Sequence, residues 1–87
     1  MSEYLVETYV SSSEPHPVPD RSEIAAAAAT VTKEGRPVRL LSAVRVPDEE
    51  TCFYLFEASS PAAVVETAER CGLRFERVVP ATSLTTQ

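Results

Sequence analysis

The 87-residue chain predicts an α+β fold, a ferredoxin-like βαββαβ sandwich with two helices on one face of a four-stranded antiparallel sheet. Three observations carry this. Stretches dense in β-branched and aromatic residues alternate with helical stretches in the order strand, helix, strand, strand, helix, strand. Each helical stretch opens on a capping residue and closes on a glycine, Asp20 to Gly35 and Ser60 to Gly72. Finally, Tyr4-Leu5-Val6-Glu7 and Tyr54-Leu55-Phe56-Glu57 agree at three of four positions and fall on the first and third strands, which the pseudo-two-fold of this fold exchanges.

Tyr4 to Val10, YLVETYV, reads as the first strand and ends in the serines of a Pro-rich loop over residues 11–19, whose prolines fix φ and favour an extended course. Asp20 with Glu23 three residues on forms a capping box, and Ile24, Ala28 and Val31 recur at helical spacing along an alanine-rich segment. The five consecutive alanines, Ala25 to Ala29, give high propensity and a slim face. Gly35 is the expected left-handed C-terminal residue. Pro37 opens a second strand, VRLLSAVRV, which the turn Pro47 to Glu50 converts into a third, TCFYLFEA. Ser60 and Pro61 are N-cap and first helical residue of helix two, with Val64, Ala68 and Cys71 on its inner stripe, Glu66 and Arg70 paired outside, and Gly72 ending it. Phe75 to Pro80 is the last strand, and residues 81–87 form a loose polar tail. The whole is one domain.

A four-residue hairpin loop sets Val46 opposite Thr51, so indices of facing residues sum to a constant. Leu40, Ser42 and Val44 then share a face with Phe53, Leu55 and Glu57, while Arg39, Leu41, Ala43, Arg45, Cys52, Tyr54, Phe56 and Ala58 occupy the other. Carboxylates beneath alanine-rich helices would lose their hydration without gaining partners, which puts Leu5, Glu7, Tyr9 and the Glu57 set on the helix-free face. Tyr54 and Phe56 fill the space under the slim helices. An open face carrying Leu5, Leu40, Val44, Phe53 and Leu55 is too apolar for water, and the simplest cover is the same face of a second copy.

Composition narrows the function. With 44% hydrophobic residues, 24% charged and two glycines the chain is an ordinary globular domain, burying roughly 60 to 65% of its unfolded surface, so a partner subunit would help it. A net charge of −5 with eight scattered Lys and Arg argues against nucleic acid. No apolar run is long enough for a membrane span and the N-terminus lacks a secretory pattern, so the expected setting is cytoplasmic. Two cysteines, Cys52 in a strand and Cys71 at a helix end, are expected as buried thiols and not as a disulfide or zinc framework. The negative end of the helix dipole beside Cys71 disfavours a thiolate.

The opening YLVE, the segment PDEETCFYLFEA and the closing CG-L-RFERVVP resemble a family of small bacterial ferredoxin-like proteins of unknown function that includes a nickel-binding protein. The likeness spans nearly the whole chain apart from Glu14 to Pro19. It implies a homodimer of the dimeric α+β barrel type, its sheets face to face, with a divalent metal or small ligand near the interface. The nickel-binding member is histidine-rich, whereas this chain has the single histidine His16, and the positions that would hold ligands, Glu7, Tyr9, Ser42 and Leu73, carry no imidazole.

Candidate site residues follow from the open face. Glu7 and Glu57 on the central strands would act as a general base and acid, or be bridged by a cation, if they stood within about 6 Å of one another; otherwise each pairs with Arg39, Arg45, Arg74 or Arg77. Tyr9 is the accompanying hydrogen-bond donor and Ser42 a further polar contact. His16 is the one imidazole available for metal or proton transfer, although a proline-bracketed loop more often holds a solvated histidine. Arg39 and Arg45 on the edge strand would attract an anion or simply repel strand addition. The expected function is that of a homodimer binding a small molecule or metal cation between its sheets. Two alternatives are a cofactor-free isomerase, cyclase or oxygenase using Glu7 or Glu57 as base, and a structural or regulatory protein without a ligand.

Overall fold

A computed structural model of the chain describes residues 1–10, 18–82 and 84. The elements follow in the expected order: β1 (Ser2–Tyr9), α1 (Arg21–Lys33), β2 (Val38–Val46), a 3-10 turn at Pro47–Glu49, β3 (Thr51–Ala58), α2 (Pro61–Arg70) and β4 (Arg77–Ala81). All four strands join in one antiparallel sheet of order β2-β3-β1-β4, the ferredoxin-like arrangement. Both end strands differ a little from expectation. β1 begins at Ser2, and β4 runs from Arg77 through Ala81, a residue assigned to the tail, because Ala81 pairs with Glu3. His16, most of the Pro-rich loop and most of the tail lie outside the described residues.

The local chemistry of the helix ends is as the sequence demands. Asp20 accepts from the Glu23 amide at 2.8 Å while the Glu23 carboxylate accepts from the Asp20 amide at 3.1 Å, closing the capping box. Ser60 accepts from the Ala63 amide at 3.3 Å with Pro61 at the first helical position. Gly35 and Gly72 take φ of +98° and +73°, where a side chain would be strained.

Ile24, Ala28 and Val31 of α1 and Val64 and Ala68 of α2 are buried against Tyr4, Val6, Tyr54 and Phe56 of the sheet. Small residues on the helices and large ones beneath them are complementary, and Phe56 is wholly buried. Leu73, just past Gly72, completes the core. Cys52 is buried as expected, but Cys71 is only half-buried, since as C-cap of α2 it lies at the margin of the layer.

One register expectation is corrected. Facing indices keep their constant sum from Val46↔Thr51 to Ser42↔Leu55, after which a β-bulge between Leu40 and Ser42 shifts the ladder to Leu40↔Phe56 and Arg39↔Glu57. Leu40 therefore packs against the core instead of standing on the open face. Arg39 takes the reverse course and joins Glu57 on the open face. The carbonyl of Leu41, at the bulge, accepts from the Arg21 guanidinium at 3.3 Å, so the first turn of α1 is tied to the irregular stretch of the edge strand.

Candidate functional site

The ladders arrange the open face in rows. A central row runs Ser42, Leu55, Leu5, Val79 across β2, β3, β1 and β4, flanked on one side by Arg39, Glu57, Glu3, Ala81 and on the other by Val44, Phe53, Glu7, Arg77. Tyr9 stands one row further out, opposite Thr51. Neither helix covers this side. Leu5, Phe53, Leu55 and Val79 are half-buried by their neighbours alone, Val44 is 53% exposed and Tyr9 48% exposed.

Glu7 and Glu57 lie on the two central strands and the same face, as the repeated tetrapeptide implies, and the same symmetry keeps them apart. The pseudo-two-fold passes through the Leu5↔Leu55 pair, and because the strands are antiparallel, two residues onward along each leads in opposite directions. Glu7 sits opposite Phe53 and Glu57 opposite Glu3, four ladder steps apart or about 13 Å. They form no shared site within one subunit. Each is instead paired across to an edge strand: Arg39 Nε to Glu57 Oε1 at 3.0 Å on β2, and Arg77 Nη2 to Glu7 Oε2 at 3.4 Å on β4. Edge strands β2 and β4 are exchanged by the same pseudo-two-fold, so the ion pairs are themselves a symmetric set.

The carboxylate facing Glu57 is Glu3, which sequence reasoning passed over because the tetrapeptide match drew attention to Glu7. Knowing the pairing of β1 with β3 would have identified it. Ser42 lies beside Leu55 in the central row, and Tyr9 is two residues beyond Glu7, so the four expected ligand residues are strung along the face and do not converge. Among the described residues no group of three His, Cys, Asp or Glu side chains gathers to hold a metal.

The helix side holds a more concave site that the sequence reading did not assemble. A cavity of about 310 Å³ lies between the first turn of α1 and the β2–β3 edge of the sheet, lined by Val10, Val18, Arg21, Arg45, Cys52 and Tyr54 among others. Register alone puts Arg45, Cys52 and Tyr54 on the helix side of neighbouring strands, which was the available signal; Arg21 enters only through the packing of α1 onto β2. The Tyr54 hydroxyl is pushed up to about 12, first by burial and next by the Cys52 thiol beside it, with the Arg45 charge pulling the other way. It is thus a neutral donor at any ordinary pH.

Between the helices, the small alanine side chains leave a shallow groove of about 450 Å³ lined by Glu23, Ala26, Ala27, Thr30, Arg70 and Cys71. Its charge is already satisfied, since Arg70 bridges Glu34 and Glu66, hydrogen bonds that raise the Arg70 pKa above its usual value. Burial likewise raises the Cys71 thiol, in keeping with an inert side chain. The Glu7, Tyr9, Ser42 and Glu57 set lines neither of these two spaces.

No family model, curated protein or solved structure matches the chain. Among the described residues no helix is long and apolar enough to cross a membrane.

Proposed function

We propose that the chain is a small-molecule-binding protein that works as a homodimer, two copies packed through the open faces of their sheets. The observation that carries the dimer is the apolar cluster of Leu55, Leu5 and Val79 in the central row with Phe53 and Val44 beside it, which no helix covers. Charge supports the same occupant. The flanking rows hold both signs, Arg39 and Arg77 with Glu3, Glu7 and Glu57, so a second copy meets no block of like charge. In plan, four strands at ~4.8 Å spacing and about eight residues long offer on the order of 500 Å² per copy, roughly 1,000 Å² over both, the lower bound for a specific interface.

The ligand in this reading is a small molecule and not a metal. Glu57 already has a cation in Arg39, Glu7 has Arg77, and the described residues bring no third ligating group to either. The enzyme alternative draws on Glu7 with Tyr9, two residues apart on the same side of β1, but Glu57 is a long way from both. Light scattering tests the assembly: the wild-type chain should give twice 9.5 kDa at micromolar concentration. Leu55→Asp should give the single mass with its circular dichroism intact, because the charge falls on the open face and leaves the helix side untouched. A wild-type monomer, or a Leu55→Asp variant that stays dimeric, overturns the reading.

A further inference from the structure

The cavity on the helix side carries more than the open face does about the nature of a ligand. It combines an apolar floor with two guanidinium groups and a neutral phenol. Val10, Val18, Pro19 and Ala43 supply the apolar surface on the helix side, Arg21 and Arg45 can only donate, and the Tyr54 hydroxyl, hydrogen-bonded with the Cys52 thiol, can donate or accept. The described lining thus carries two positive charges and no carboxylate, in a chain of net charge −5. Nor is that charge consumed. Arg39, Arg70 and Arg77 are each engaged by a carboxylate, whereas neither Arg21 nor Arg45 forms an ion pair with a described residue.

Position matters as much as composition. The Arg21 guanidinium is held over β2 by its bond to the Leu41 carbonyl, a contact that uses part of its donor fork and fixes the rest. Arg45 is close enough to the Tyr54 hydroxyl for its charge to favour the phenolate, although burial prevails. At about 310 Å³ the cavity is at the lower end of ligand pockets, with room for about ten waters, which suits a single ring or a short chain. A bare inorganic anion would leave the apolar floor unused, and an amine would meet two guanidinium groups.

We propose that this cavity binds a small organic carboxylate, its apolar body against Val10, Val18 and Ala43 and its carboxylate on Arg21, Arg45 and the Tyr54 hydroxyl. The proposal rests on the small-molecule part of the reading above and moves the site from between the sheets to within each subunit. It does not need the dimer, because Arg21, Arg45 and Tyr54, the groups it uses to hold the carboxylate, lie on the helix side of the sheet.

Benzoate is the probe, titrated into the 15N-labelled full chain at neutral pH and low salt. Saturable amide shifts are expected at Ala43, Arg45, Cys52 and Tyr54, with Kd about 1 mM or tighter. Benzamide, of the same shape without the charge, should bind about tenfold more weakly, as should benzoate to Arg45→Gln. Arg45→Lys keeps the charge and should recover part of the loss, and Arg36→Gln at the far end of α1 should change nothing. No saturable shift, equal binding of benzamide or inorganic phosphate, or wild-type affinity in Arg45→Gln overturns the proposal. Shifts confined to Leu5, Phe53 and Leu55 also overturn it while favouring a ligand between the sheets. If benzoate fails and light scattering still gives a dimer, the cavity falls and the dimer stands.

Discussion

The two faces of the sheet are built from the same strands, residue by residue in alternation, and have opposite fates. Along β3, Cys52, Tyr54, Phe56 and Ala58 are buried beneath two helices, while Phe53, Leu55 and Glu57 in between are only half-buried. The first set is covered by its own chain and can be large because the helices above it are alanine-lined. The second has apolar character in its central row and ion pairs at both ends. Strand alternation makes the two faces equally legible in sequence, but among the described elements helices cover only one of them.

The contrast is broken most severely in the closed layer. Phe56→Ala empties a wholly buried site between the helices and β3 and should cost about 3 to 5 kcal/mol in chemical denaturation, a large share of the total stability of such a domain. Leu5→Ala on the open face should act otherwise. With two copies paired through this face, as proposed, the loss would fall on association, so its effect on the melting temperature should grow with protein concentration, whereas the Phe56→Ala deficit should not.

Next in size is the alkaline limit of the closed layer. Tyr54 has its folded-state pKa raised from 10.0 to about 12, so the native state disfavours the phenolate. Its contribution is complete below about pH 10 and is lost as pH rises toward 12, on the order of 2 kcal/mol. Cys71, also raised by burial, acts in the same direction. Denaturation midpoints should therefore fall between pH 10 and 12, and Tyr54→Phe should flatten that fall. The smaller effects are local. Asp20→Ala removes the α1 cap and should cost about 1 kcal/mol. Arg39→Ala and Arg77→Ala remove exposed ion pairs on the open face and should each cost well under 1 kcal/mol in the monomer, with Arg39→Ala the larger because its bond to Glu57 is shorter.

What could be read in the sequence was whatever depends on neighbours in the chain. The capping box at Asp20 and Glu23, the glycines at 35 and 72, and β2 and β3 with their turn are local chemistry, and they stand as expected. The bulge between Leu40 and Ser42 was not legible, because no glycine marks it and the turn fixes the register only until the first irregularity. Its consequence was local too, exchanging Arg39 and Leu40 between faces.

The candidate site was read less well for a different reason. The likeness of Tyr4–Glu7 to Tyr54–Glu57 established equivalence correctly, but equivalence under a two-fold through Leu5 and Leu55 is a statement of separation, which needs the register to see. Arg21 and Arg45 reach one cavity only because α1 folds back over the edge strand, a contact between residues far apart in sequence. Charge pairing across the sheet was legible only in part: Arg39 and Arg77 were two of four arginines open to Glu7 and Glu57, and Arg39 reaches Glu57 only because the bulge moves it to the open face.

The central claim is that the open face is completed by a second copy, and an isotope-filtered NOE experiment on a mixture of labelled and unlabelled chains tests it directly. Intermolecular cross-peaks should join the methyl groups of Leu5, Leu55 and Val79 to one another and to the Phe53 ring. A mixed sample with no intermolecular peaks, or with peaks confined to α1 and α2, would contradict it.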